Sequence, residues 1–190
     1  MHHLFLIGPG GVGKTSAGRL LAPMLSRRFV DLDEEFCAHV GPLRPFLDAF
    51  GYAAYVRRNG LLFHELLEGT PEPVVLALSS GFLETDVEPE TIASNRALVK
   101  SAGTSILLMP SRSQEESSRI VVERQMERGL NLERVSQARI FAERFAAYMT
   151  MGDIQLFSVG SPLEIAMQIK QELAKKTPGS HNGIWGHSCS

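Results

Sequence analysis

Gly8-Pro9-Gly10-Gly11-Val12-Gly13-Lys14-Thr15 follows the pattern G-x-x-x-x-G-K-T without departure. Glycines in such a loop accept unusual backbone angles and allow close approach, so successive N–H groups turn inward on phosphate oxygens. Lys14 brings a point charge to the β- and γ-phosphates of ATP, and the Thr15 hydroxyl is placed to bind Mg2+. Gly8, Gly10, Gly11, Val12, Gly13, Lys14, Thr15 and Ser16 are therefore the expected nucleotide contacts. The flanks agree with this reading. An apolar run, His3-Ile7, leads into the loop as a strand. Lys14-Leu25, apolar at Ala17, Leu20, Leu21, Met24 and Leu25, follows it as a helix whose N-terminus favours an anion.

Working outward, four more short apolar runs read as strands: Phe29-Leu32, Val74-Leu78, Ser105-Met109 and Ile154-Val159. Their apolarity is continuous rather than alternating, which implies burial on both faces and hence parallel pairing. Between them, Tyr52-Leu67, Thr91-Ser101, Gln114-Met126, Leu132-Tyr148 and Pro162-Ala174 carry helical patterns. Strands alternating with helices predict a doubly wound α/β fold, and the phosphate loop makes it a three-layer P-loop NTPase fold, a five-stranded parallel sheet flanked by helices. Residues 1–175 are read as one domain and 176–190 as a flexible tail.

Bulk properties narrow the partners. A net charge of -2 argues against nucleic acid or an anionic membrane reached by bulk attraction, so any positive charge for phosphate must be local. No stretch is apolar for long enough to cross a bilayer, and the start lacks the features of a signal peptide; a cytoplasmic monomer is the expectation. The two cysteines, Cys37 and Cys189, match no zinc or redox spacing. Cys37 reads as a small apolar filler.

Phe29-Val30-Asp31-Leu32-Asp33-Glu34-Glu35 ends the second strand on two carboxylates two residues apart, which share a face if the segment is extended. One can assist Mg2+ and the other can accept a hydrogen bond or proton from a substrate hydroxyl. Equally, Asp33 can cap the next helix, with Glu34 and Glu35 in its first turn.

The order of these features resembles the shikimate kinase family, small P-loop kinases that phosphorylate a ring hydroxyl with ATP and Mg2+. The phosphate loop, the run Arg19-Leu20-Leu21-Ala22 and the D-x-D strand end carry the resemblance, which spans roughly residues 3 to 175. It implies Asp31 near Mg2+ beside Thr15, and Asp33 binding the substrate hydroxyl as a candidate base. The family's G-E-x-x-F-R-x-x-E corresponds to Gly51-Tyr52-Ala53-Ala54-Tyr55-Val56-Arg57-Arg58-Asn59, with Val56 where the arginine that grips the substrate carboxylate would stand. Arg57 and Arg58 are candidate replacements, although one helical step turns a side chain by about 100°. Ser79-Ser80-Gly81 takes the place of a triple glycine at the substrate.

The resemblance also implies a lid segment at about 111–130, in which the family's arginine corresponds to Arg128, in Arg128-Gly129-Leu130, which would stabilise charge on the transferring phosphoryl group. Arg119 and Arg124 are both candidates to stack on adenine. Arg144, in Arg144-Phe145-Ala146-Ala147-Tyr148, resembles the family's R-x-x-x-Y segment and is the candidate carboxylate ligand. The expected activity is transfer of the ATP γ-phosphate to a hydroxyl of shikimate or a similar cyclic acid. Lys14, Asp33 and Arg128 would be catalytic, and Asp33, Arg57, Arg58, Ser79, Ser80, Gly81 and Arg144 would bind substrate. Two alternatives stand beside it: a kinase drifted to another metabolite, for which Val56, Asn59, Ser79 and Ser80 speak, and a nucleotide-binding sensor without fast catalysis.

Overall fold

The computed structural model describes residues 2–127 and 133–176. Five strands, β1 (His3–Ile7), β2 (Arg28–Asp31), β3 (Val74–Ala77), β4 (Gly103–Met109) and β5 (Ile154–Phe157), form one sheet in the order β2-β3-β1-β4-β5. All four pairings are parallel, with Leu6 opposite Ala77 on one side and Ile106 on the other. The continuous apolarity of the central strands is explained by burial on both faces: Phe5, Leu6, Val75, Ile106 and Leu107 are wholly inaccessible.

Among the described residues seven helices flank the sheet: α1 (Lys14–Met24), α2 (Leu32–His39), α3 (Leu43–Glu68), α4 (Pro89–Ala102), α5 (Gln114–Met126), α6 (Arg134–Tyr148) and α7 (Pro162–Lys176). The chain steps one way from β1 to β2 and the other way from β2 onward. With right-handed crossovers this places α1 and α3–α4 on opposite faces. α7 returns to pack on α1. The reversal falls at β1, between β3 and β4, so the loops leaving β1, β2 and β3 open onto the crevice where ligands of such sheets sit.

The expected strands and helices are present, with ends shifted by a few residues. Two elements differ from expectation. α2 stands where one of the two expectations extended the strand end through Asp33; the other, a helix with Glu34 and Glu35 in its first turn, is the one present. Only Leu32 and Phe36 of its eight residues are buried, one apolar pair four apart, too little to show a period. Leu32 already begins the helix, so Asp31 and Asp33 do not share an extended face. α3 begins nine residues ahead of the expected Tyr52 and is broken at Gly51, whose φ of 78° and ψ of 170° lie outside the helical region. Cys37, expected as apolar filler, is exposed on α2.

Candidate active site

The phosphate loop runs from the end of β1 into the first turn of α1. Lys14 is buried, and its Nζ donates to the carbonyl oxygens of Gly8 (2.7 Å) and Pro9 (2.9 Å), which folds the side chain back over its own loop. α5 lies along the outside of the loop. Gln125 Nε2 donates to the Gly10 carbonyl at 2.9 Å, and the Arg124 Cβ lies beside Gly11. A methyl group on Gly10 would come within 2.8 Å of Gln125 Nε2, so the loop and α5 are in direct contact.

Asp31, at the end of β2, makes two kinds of contact. Its Oδ2 accepts from the Thr15 hydroxyl at 2.6 Å, and its Oδ1 accepts from the backbone N–H groups of Asp33 (3.0 Å) and Glu34 (3.3 Å). The cap of α2 is thus Asp31, not Asp33. The cap holds the Asp31 carboxylate against Thr15 and leaves Asp33 exposed in the first helical turn. Thr15 and Asp31 together present hard oxygen donors of the kind Mg2+ takes, next to the phosphate loop. Among the described residues no cluster of three or more metal-ligating side chains exists, so a metal here would also need phosphate or water oxygens.

A narrow cleft of about 50 Å³ joins these parts, lined by Gly13, Lys14, Thr15, Asp31, Asp33 and Ser80 among others. A larger groove of about 540 Å³ lies between α4, the end of α6 and the strands, and shares none of these residues. The smaller cleft is the candidate site, because the chemistry converges there.

Beside Asp33, α3 carries a polar chain. The Tyr55 hydroxyl donates to Asp33 Oδ1 at 3.4 Å, while Asn59 Nδ2 lies 3.2 Å from the Tyr55 oxygen and 3.1 Å from Ser79 Oγ. Burial, then the Asp33 charge, push the Tyr55 phenol far above its ordinary pKa, so it remains a donor. Val56 is buried next to this chain, in the cavity wall shared by Tyr52, Tyr55, Asn59 and Gly81.

Arg144 approaches from α6. Its Nη2 donates to the Tyr52 oxygen at 3.2 Å. Burial pulls against the charge of Arg144, but the Tyr52 and Tyr148 oxygens outweigh it and the pKa is raised, leaving a firm cation. Gly81, at φ 81°, makes room for this group: a Cβ there would stand 2.5 Å from Arg144 Nη1 and 2.9 Å from the Tyr52 oxygen. Tyr148 is buried against Ser80, Arg144 and Gly81, and its pKa is raised by that burial. Its hydroxyl has no well-formed hydrogen bond.

Of the candidate substrate residues, Asp33 and Ser80 line the cleft, and Gly81 and Arg144 stand beside it. Ser79 is buried behind, bonded to Asn59. Arg57 and Arg58 are not brought to it. Arg57 pairs with Glu88 at the start of α4, and Arg58 pairs with Glu65 at 3.3 Å. Arg119 is exposed on α5, whereas Arg124 Nη2 reaches the Val159 carbonyl at 3.4 Å. Arg128 lies outside the described residues, as does the end of the expected lid. Sequence reasoning passed over Tyr52 and Tyr55 as site residues. Their spacing with Asn59, three and then four residues apart on one helix, was the available signal. Nothing in the sequence marked Gln125.

A phosphate loop at the strand reversal of a parallel sheet, facing a carboxylate and a half-buried guanidinium, defines a P-loop phosphotransferase that acts on a hydroxyl group. The shikimate kinase family profile matches residues 10–174. The chain is 28% identical over 179 residues to a shikimate kinase of Nitrosospira multiformis, covering 90% of this chain and 84% of that one. It is 30% identical over 177 residues to a shikimate kinase of Enterococcus faecalis, covering 91% and 99%. A solved shikimate kinase from Acinetobacter baumannii in complex with shikimate shares the fold, with a TM-score of 0.77 at 24% identity over 94% of this chain and 96% of that one. The chain belongs to the shikimate kinase family.

Proposed function

We propose that this kinase transfers the γ-phosphoryl group of ATP to a ring hydroxyl of shikimate. One observation carries the reading: Asp33 lines the same cleft as Lys14 and Thr15, and its neighbour Tyr55 shares a cavity wall with Gly81 and Tyr52, the partner of Arg144. A hydroxyl at Asp33 and a carboxylate at Arg144 are the two ends of a hydroxylated cyclic acid. The name of the Acinetobacter baumannii relative supplies the candidate, since that protein is described in complex with shikimate.

The division of labour follows from the chemistry. Backbone N–H groups of residues 10–15 receive the β- and γ-phosphates, and Lys14 exchanges its carbonyl partners for phosphate oxygens as the nucleotide enters. Thr15 and Asp31 would hold Mg2+, which neutralises phosphate charge when bound. Asp33 accepts the hydrogen bond of the attacking hydroxyl and orients it in line. Arg144 fixes the carboxylate. Arg124, close to the loop leaving β5, is better placed than Arg119 to meet the nucleotide, and Arg128 is retained as the phosphoryl-stabilising candidate. The chain would act in the cytoplasm as a monomer.

Coupled ATP turnover with Mg2+, with and without shikimate, tests the proposal on the parent chain and on Asp33→Asn. Shikimate-dependent ADP release that falls by roughly 10²–10⁴ in the variant is expected. ATP binding without shikimate-dependent release would favour a drifted acceptor or a sensor.

A further inference from the structure

The substrate side holds an arrangement that the reaction itself does not require. Tyr52 and Tyr55 are three residues apart on α3, directly after the Gly51 break, with ring centroids 5.8 Å apart and an interplanar angle of 30°. Tyr55 is clamped from its other side by the edge of Phe36, 5.0 Å away, and its oxygen is held by Asn59 Nδ2. Each phenol of the pair reaches a different pole of the acceptor site: Tyr55 donates to Asp33, and Tyr52 accepts from Arg144. Arg144 and Asp33 come from different helices, α6 and α2, and the stacked pair connects them. Because Tyr52 accepts the guanidinium N–H, its own O–H remains able to donate to an anion. Buried Val56 contributes no second cation.

We propose that Tyr52 and Tyr55 are positioning residues that set the separation of Asp33 and Arg144, and so decide which hydroxy acids the site accepts. This rests on the acceptor reading given above. An acid whose carboxylate and hydroxyl match that separation satisfies both ends together, whereas a mismatched one leaves a charged group imperfectly paired. Loss of either hydroxyl loosens one end alone. Tyr52→Phe frees Arg144, which weakens acceptor binding. Tyr55→Phe frees Asp33, which misaligns the hydroxyl in the transition state. Both changes keep the ring, and with it the packing on Phe36 and on each other.

Steady-state kinetics of the full chain, with ATP and Mg2+, separates these effects. The acceptors are shikimate and quinate, the latter a saturated ring that directs its carboxylate differently. Tyr52→Phe is expected to raise the shikimate KM about tenfold with little change in kcat, and Tyr55→Phe to lower kcat about tenfold with a smaller change in KM. In both variants the preference for shikimate over quinate narrows and the ATP KM stays at the parental value. Variants with parental kinetics on both acceptors, or with equal losses toward ATP and shikimate, would overturn the positioning role. A parent chain that binds ATP but is inert toward shikimate would overturn the acceptor reading and this proposal together, and is distinguished by failing before any substitution is made.

Discussion

Single residues of the proposed acceptor site are held by neighbours that leave little slack. Gly81 is the clearest case, since its backbone sits at φ 81° and any Cβ would meet Arg144 Nη1 at 2.5 Å and the Tyr52 oxygen at 2.9 Å. Gly81→Ala should therefore displace the guanidinium from Tyr52, raising the shikimate KM about tenfold while the ATP KM is unchanged. Parallel kinetics against each substrate checks this, and equal effects on both would contradict the assignment of Arg144 to the acceptor. Asp31 illustrates a different economy. One carboxylate both caps α2 and holds Thr15, so the backbone of α2 and the Thr15 hydroxyl share an anchor.

At the scale of elements, the break in α3 and the junction of β4 with β5 make separate predictions. Gly51 sits at φ 78° and ψ 170°, a region closed to side chains. Gly51→Ala should cost about 1–3 kcal/mol in urea denaturation and also weaken acceptor binding, because Tyr52 follows the break directly. At the sheet edge, Asp153 Oδ2 accepts from the Ser105 N–H (2.8 Å) and hydroxyl (2.7 Å), tying the entry to β5 onto β4. Burial works against the carboxylate, but the Ser105 donors prevail and its pKa falls below the ordinary 3.8. A depressed folded pKa means stability that is present above 3.8 and is lost as pH falls through the folded value. Asp153→Asn should accordingly destabilise the chain at pH 7 by a solvent-screened amount of up to ~1 kcal/mol, a gap that closes at more acid pH. Denaturation of both proteins across pH measures it, and a gap that widens in acid would be the wrong sign.

For the whole molecule, the ligand cleft spans loops from β1, β2 and β3, so occupancy couples to the stability of the sheet. Nucleotide that binds only the folded chain should raise its stability by about 2.7 kcal/mol at one hundred times Kd. That corresponds to a rise in Tm of roughly 5–10 °C for a domain of this size. Lys14→Ala should lose most of the rise, measured for each protein as the difference between its own thermal melts with and without ATP and Mg2+. Among the described residues no helix is long and apolar enough to cross a membrane.

The sequence by itself determined the phosphate loop, the five parallel strands and most of the helices, because these depend on short-range spacing and on runs of apolar residues that the backbone reads locally. The acidic first turn of α2 was legible as one of two alternatives, but its one buried pair is too short a pattern to decide between them or to show that Asp31 rather than Asp33 is the cap. Only the tertiary structure decided the substrate side. Tyr52 and Arg144 are 92 positions apart and Asn59 and Ser79 are 20 apart, so their meeting depends on how the crossovers stack α3 and α6 around the strand ends. Arg57 and Arg58 show the same limit from the other direction. Both carry the right charge at nearly the right position, and the rotation of α3 turns them to Glu88 and Glu65 instead.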